Sequence, residues 1–265
     1  MPTLILPPRY TSDAIALWKA AISAGWDVER LQGWRVPEGL GNDDVVLYGE
    51  PLFAAVVAEA LAIALLEPPF DWLTNLPFIY RQRQVLYSTL AEARQREGPV
   101  FIKPADDKSF AAQVYESGAQ LPSPRFLPDD TPVLIAEPVD WEVEFRCFVV
   151  QRKVNTLSPY WRESCLAQAE DGSWPASEDE MSAALEFASA VLNDNDVQFP
   201  PSVALDVGKI TDRGWAVVEV NAAWGSGIYG CDPLRILPVL QRACLKQTDV
   251  TEVDERWIIE RKLQP

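Results

Sequence analysis

The chain predicts an α/β fold, and three observations carry that expectation. Up to Leu66 short apolar strands alternate with amphipathic helices; between Val100 and Ser158 the sequence is rich in strands; near the C-terminus Val203 to Gly208 and Trp215 to Asn221 read as a hydrophobic hairpin. Residues 3–6 form the first expected strand. Residues 12–24 follow as a helix, capped by Thr11 or Ser12 and stopped at Gly25. A strand at 45–48, a helix at 52–60 and a short buried strand at 62–66, ended by Glu67-Pro68-Pro69, complete this part. Short Leu- and Val-rich strands separated by helices favour a parallel, doubly wound sheet. No Gly-x-Gly-x-x-Gly follows any of them, so a dinucleotide fingerprint is missing.

Residues 71–77 read as a connector and 79–96 as one long helix ended at Gly98-Pro99. The pattern then changes to strands at 100–103 and 133–137, and a hairpin of 144–150 with 154–158. Between them residues 104–132, punctuated by Ser, Gly, Asp and Pro, read mostly as loop with a short helix or strand near 111–115. A loop of that length usually has a task. Helices are expected at 178–192 and 233–245.

Composition excludes several functions. With 265 residues, 48% hydrophobic positions and ten Trp, the chain can bury a substantial core in one compact unit or two closely packed ones. Its 39 acidic against 23 basic side chains give a net charge of -16, unsuited to gripping nucleic acid or an anionic membrane. The first residues lack the basic lead and apolar core of a signal peptide, and no apolar run is long enough to span a bilayer, so a cytoplasmic location is expected. Cys147, Cys165, Cys231 and Cys244 are scattered without a Cys-x-x-Cys pair and there is no histidine, which argues against a zinc cluster and for reduced thiols. The same absence removes Ser-His-Asp and Cys-His chemistry. Lys, Arg, Asp, Glu, Tyr and backbone amides remain, a set suited to electrostatic catalysis at phosphate.

The C-terminal hairpin supplies the first candidate site. Side chains alternate along a strand, so Asp206 on one strand can share a face with Glu219 and Asn221 on the other. Carboxylate and amide oxygens suit a hard cation such as Mg²⁺ that shares its shell with phosphate, although acidic residues near a turn are often only a solvated face. Lys103 ends the apolar run Val100-Phe101-Ile102, either as a snorkelling edge residue or as a cation aimed at an anionic ligand. The following Ala105-Asp106-Asp107-Lys108-Ser109-Phe110 can offer amides, a hydroxyl and a second ammonium to phosphates as a lid does, but it is not a Walker A loop. A strand running into Glu137-Pro138-Val139 can present C=O and N–H groups to an adenine edge. Glu144 can accept ribose hydroxyls, and Arg146 alternates onto its face.

In this order, the strand-end Lys103, the Glu137-Pro138-Val139 hinge, Glu144, Asp206 and Glu219-Val220-Asn221 resemble the ATP-grasp superfamily over roughly residues 81–247. The Gly-rich Asn221 to Gly230 turn adds to the likeness, and the whole is similar to small ATP-grasp branches of bacteria and their viruses. The resemblance implies an ATP-grasp domain over 76–265, with a lid subdomain at about 98–140 and a larger catalytic subdomain at about 141–250. A small Rossmann-like pre-ATP-grasp domain would occupy 1–75. It further implies that Lys103 contacts the α- and β-phosphates, that Glu137 and Val139 bind adenine through the backbone, and that Glu144 holds the ribose. Asp206, Glu219 and Asn221 would bind one or two Mg²⁺, with Ser109 in the phosphate lid.

The sequence departs from the family pattern in places. Arg81 and Arg83 stand where many members carry a lysine, so one of them would face the nucleotide. Ala204 stands where many peptide-ligating members carry an arginine, which leaves Arg146, Lys153, Arg162 or Lys209 to meet an acyl phosphate. Among these Arg162, flanked by Tyr160 and Trp161, is the choice for gripping an acceptor carboxylate, while Tyr229 either lines the acceptor site or closes the core. The implied activity is an ATP- and Mg²⁺-dependent carboxylate-amine ligase that works through an acyl phosphate and releases ADP and phosphate. A small-molecule kinase and a non-catalytic nucleotide-binding protein are the alternatives. Small-molecule or peptide carboxylates and amines would be the partners, and the ten Trp fit either a homodimer interface or a Trp-rich core.

Overall fold

The computed structural model describes residues 1–40, 44–105 and 109–259, so Asp106, Asp107 and Lys108 of the expected lid lie outside the described residues. The chain opens with β1 (Thr3–Leu6), α1 (Ser12–Ser23), β2 (Asp27–Arg30), β3 (Val45–Leu47), α2 (Pro51–Ala60) and β4 (Ile63–Leu65). Thr11 caps α1, its hydroxyl accepting the Ala14 N–H at 3.1 Å, and Gly25 follows the helix with φ +76°, as the sequence signals required. Three strands form a parallel sheet in the order β2-β1-β3. Strand β2 has one apolar residue in Asp-Val-Glu-Arg and sits at the edge, which is why hydrophobic patterning missed it. The expected strand at 62–66 forms as β4 but lies outside this sheet.

Then come α3 (Trp72–Asn75), α4 (Phe78–Arg81), β5 (Val85–Thr89), α5 (Leu90–Ala93), β6 (Val100–Pro104), β7 (Gln113–Tyr115) and β8 (Pro132–Ala136). The single helix expected over 79–96 is corrected here. Gln82 adopts the left-handed conformation at φ 51° and closes α4, and β5 pairs with β8 from Val85↔Ala136 to Thr89↔Pro132. The run Val-Leu-Tyr-Ser-Thr favours a pleated strand once a partner is at hand, so tertiary pairing overrides the local helical pattern. The expected connector 71–77 likewise holds a short helix, α3. Strands β5-β8-β6-β7 form an antiparallel sheet around the small core of Leu90, Ile102, Tyr115 and Ile135.

The remainder contains β9 (Trp141–Val150), β10 (Lys153–Arg162), β11 (Cys165–Leu166), α6 (Glu178–Asn193), β12 (Ser202–Ile210), β13 (Gly214–Asn221), α7 (Pro233–Ala243), β14 (Cys244–Lys246) and α8 (Glu252–Glu255). A five-stranded antiparallel sheet runs β11-β10-β9-β12-β13. On one face Val143, Phe145, Cys147 and Val149 of β9, with Val203, Leu205 and Val207 of β12, pack on Ala184, Ala188 and Val191 of α6. Helix α6 begins at a capping box in which Ser177 and Glu180 satisfy each other's backbone N–H groups. On the other face Phe148 and Ala204 join a core shared by β1, β3, α1, α2 and α7. The end of the helix expected at 233–245 becomes β14, which pairs antiparallel with β4 and ties the C-terminal part to the N-terminal unit.

Among the described residues no helix is long and apolar enough to cross a membrane. All four cysteines are free thiols, three of them buried and Cys165 exposed. Trp72, Trp224 and Trp257 belong to the core, whereas Trp18 and Trp34 are exposed.

Candidate active site

The site is built on one row of the five-stranded sheet. Arg146 on β9, Asp206 on β12 and Glu219 on β13 are direct neighbours across the strands. Two bulges complete the row. Opposite the Asp206-Val207 step, β13 carries Val218 as an extra residue, so Val207 faces Val217 while Asp206 faces Glu219. With regular alternation Glu219 would leave the face that Val217 uses, toward α6; the bulge turns Glu219, and with it Asn221, onto the face of Asp206. On β10 the shift between Pro159 and Trp161 makes Tyr160 the extra residue, and its hydroxyl donates to Glu144 Oε2.

Charge is concentrated and paired along the row. Arg146 Nε and Nη2 donate to the two oxygens of Asp206 at 2.8 and 2.6 Å, and Nη1 donates to the Gly227 carbonyl at 3.0 Å. The guanidinium also lies over the stacked rings of Tyr160 and Tyr229, 5.4 and 5.0 Å from their centroids. Burial works against this charge, but Asp206 more than offsets it and holds the guanidinium well above its ordinary value. Glu219 pairs with Lys103 Nζ, which arrives from β6 in the other sheet, and accepts from Asn221 Nδ2 at 2.8 Å. Burial alone would raise the Glu219 carboxyl; Lys103, Arg146 and Asn221 draw it down to about 2. Glu144 behaves oppositely, because burial outweighs the Tyr160 bond and pushes its carboxyl up to about 7.

The structure separates the two arginines that the sequence left as alternatives. Arg81 donates to the Thr74 and Val85 carbonyls and braces the α4 turn. Arg83 is buried, donates to the carbonyls of Arg81, Val217 and Val218, and stacks on Trp141 at 4.9 Å. Burial lowers it to about 10, against the pull of Glu144 and Glu219 on the site side. At the hinge the Glu137 N–H is taken by the Gln84 carbonyl at 3.0 Å and the carboxylate by Arg213 at 2.6 Å. The Glu137 C=O and the Val139 N–H enter no hydrogen bond among the described residues. Ser109 is exposed, next to residues 106–108.

Three other candidates are not brought to the row. Arg162 sits opposite Val143, on the α6 side, and pairs with Glu180 at 2.7 Å. Lys209 is also opposite Val143 on that face, and pairs with Glu142 at 2.7 Å with both groups well exposed. Lys153 is exposed beside the β9–β10 turn. Sequence reading missed a different pair, Asp13 and Tyr48 in the N-terminal unit. Asp13 Oδ2 accepts the Ile228 N–H at 3.0 Å, and the Tyr48 hydroxyl lies 3.2 Å from Asp13 and 3.1 Å from the Ser226 carbonyl. Together they hold the turn whose Gly227 carbonyl meets Arg146, and no local motif announces either residue. In the same turn Gly230 is enforced, since a Cβ there would lie 2.5 Å from Ser158 Oγ and from the Trp174 ring.

The donor set can be tested against a divalent cation. Glu219, with 28% of its side chain exposed, and its neighbour Asn221 carry side-chain oxygens at an accessible edge, a donor type that fits a hard cation. Asp206 does not fit in this arrangement: it has no exposure and Arg146 occupies both of its oxygens. Among the described residues no group of three or more His, Cys, Asp or Glu is arranged to hold a metal ion.

Two antiparallel sheets that meet at a lysine-glutamate pair are the arrangement of an ATP-grasp fold. The chain belongs to that superfamily, matching over residues 80–239 the model of an ATP-grasp domain of the R-2-K clade, family 2. Solved structures agree on the fold. The D-alanine–D-alanine ligase of Bacillus anthracis is similar at 13% identity and a TM-score of 0.51, covering 91% of this chain and 96% of that one. The RimK domain ATP-grasp protein of Sphaerobacter thermophilus is similar at 15% identity and 0.51, covering 92% and 99%. The D-cycloserine synthetase DcsG is similar at 15% identity and 0.52, covering 91% and 98%. No curated protein sequence matches the chain.

Proposed function

We propose that the protein is an ATP- and Mg²⁺-dependent carboxylate-amine ligase. The observation that carries this reading is the pairing of Lys103 with Glu219 across the two sheets, inside a domain of ATP-grasp family and beside a buried arginine. The ligase and synthetase named among the structural neighbours support ligation as the reaction class. In this reading residues 1–75 form the preceding α/β unit, about 98–140 the lid and about 141–250 the catalytic part.

Adenine is read by the Glu137 C=O and the Val139 N–H, and Glu144 accepts from the ribose. Arg83 adds a buried cation behind the nucleotide. Lys103 exchanges its carboxylate partner for the α- and β-phosphates, a swap between two anions that keeps its charge compensated. Glu219 and Asn221 hold Mg²⁺, which when bound neutralises phosphate charge and aligns the γ-phosphate. A substrate carboxylate oxygen attacks the γ-phosphorus and ADP leaves with the bridging oxygen. An amine nitrogen then attacks the acyl carbon, phosphate departs, and the nitrogen loses a proton. Arg146, fixed beside Glu219, faces the charge that develops on the transferred phosphoryl group. No protein nucleophile is required, in keeping with a chain without histidine.

Incubation with Mg²⁺-ATP and pools of amino acids and short peptides tests the reading. ADP and phosphate released only when a carboxylate and an amine are both present, together with a new amide, is the expected result. A stable phosphorylated product with no free phosphate would make the protein a kinase instead.

A further inference from the structure

We propose that Asp206 is a positioning residue for Arg146 and not a metal ligand, which leaves Glu219 and Asn221 as the side chains that hold the cation. The inference rests on the Mg²⁺-nucleotide reading above and departs from the role that spacing suggests for Asp206.

Three observations converge. The first is access. A cation such as Mg²⁺ keeps several waters and demands near-ideal octahedral geometry, so a protein ligand must present an oxygen with open space around it. Asp206 presents none, being completely buried with one arginine nitrogen on each oxygen, whereas Glu219 is partly exposed. The second is the nature of the partners. Glu219 is held by Lys103 from the other sheet, which a phosphate can draw away, and by the amide of Asn221 two residues on. Asp206 is held by a buried guanidinium whose Nη1 is on the Gly227 carbonyl and which lies against the stacked pair Tyr160 and Tyr229. Taking Asp206 for a metal would strand a cation that is only 5% exposed.

The third is orientation. The side-on fork of Nε and Nη2 on Asp206 fixes the plane of the guanidinium, and in that plane Nη2 lies 3.9 Å from Glu219 Oε1. Asp206 thus sets where the positive charge sits relative to the cation-holding carboxylate. Arg146 is the direct cross-strand neighbour of Asp206, on β9.

The experiment titrates Mn²⁺, as a spectroscopic stand-in for Mg²⁺, into the full chain at saturating ADP and follows free Mn²⁺ by electron paramagnetic resonance. Asp206→Asn is expected to keep Mn²⁺ affinity within about 3-fold of the parent while Glu219→Gln weakens it by about 10-fold or more. In the same variants ATP turnover should split from metal binding, Asp206→Asn losing kcat with its metal affinity intact. Should Asp206→Asn fold poorly, Arg146→Met with Asp206→Leu replaces the pair by apolar groups and is expected to bind Mn²⁺ in the presence of ADP. Loss of Mn²⁺ in Asp206→Asn equal to that in Glu219→Gln overturns the inference and leaves the nucleotide site standing. A parent chain that binds no Mn²⁺ with ADP overturns the nucleotide reading and this inference with it.

Discussion

The two faces of the five-stranded sheet carry similar charged residues to opposite ends. On one face Arg146 and Asp206 are paired out of reach of water, and Glu219 and Lys103 converge on them at a partly exposed edge. On the other, Arg162 with Glu180 and Lys209 with Glu142 rim a hydrophobic packing surface against α6 and stay wet. The same strands supply both sets, so residue type alone does not separate chemistry from solvation. Strand parity and the two bulges decide which charges meet, and burial decides what meeting is worth: pairing is strong where water is excluded and small where it is not.

Breaking the buried side of this comparison should cost most. Arg146→Met leaves the Asp206 carboxylate enclosed without a partner and is expected to reduce unfolding free energy by about 3–5 kcal/mol. Urea denaturation measures it, and adding Asp206→Leu should recover much of the loss. Glu144 gives the next effect. Its carboxyl rises from 4.5 to about 7 on folding, so its contribution is fully present below pH 4.5 and is lost as pH rises through 7, by at most about 3 kcal/mol. Glu144→Gln should therefore flatten the decline of stability between pH 4.5 and 7. Gly230→Ala, which forces a Cβ against Ser158 and Trp174, is expected to cost about 1–3 kcal/mol by the same denaturation curves. On the wet face, Arg162→Ala combined with Lys209→Ala should change stability by less than about 1 kcal/mol and leave ATP turnover near that of the parent.

The parts of the fold that the sequence made legible are those where apolar alternation is long. The β9–β10 and β12–β13 hairpins, α6, and the strand β6 that carries Lys103 all follow from local pattern. Strand β5 was hidden in a run whose spacing also suits a helix, and only its partner β8 resolves the choice. The convergence of Asp206 and Glu219 was expected from alternation, yet it depends on an extra residue at Val218 that nothing local announces. The bulge at Tyr160 has the converse effect: Tyr160 reaches Glu144, and Arg162, which chemistry favoured, falls on the α6 side. Lys209 could have been set aside by parity, since it lies three positions from Asp206 on a strand whose pairing with β9 is regular from Asp206 to Lys209 and shifts only beyond it. Asp13 and Tyr48 act on a turn more than 175 residues away, and such a contact exists only after folding.

The central claim is that ligand chemistry belongs to the Asp206 face alone. Isothermal titration of Mg²⁺-ADP into four single variants tests it most directly. Lys103→Met and Glu219→Gln are predicted to weaken binding by about 10-fold or more, with Arg162→Ala and Lys209→Ala matching the parent. Equal affinity in all four, or loss confined to Arg162→Ala and Lys209→Ala, would contradict the account.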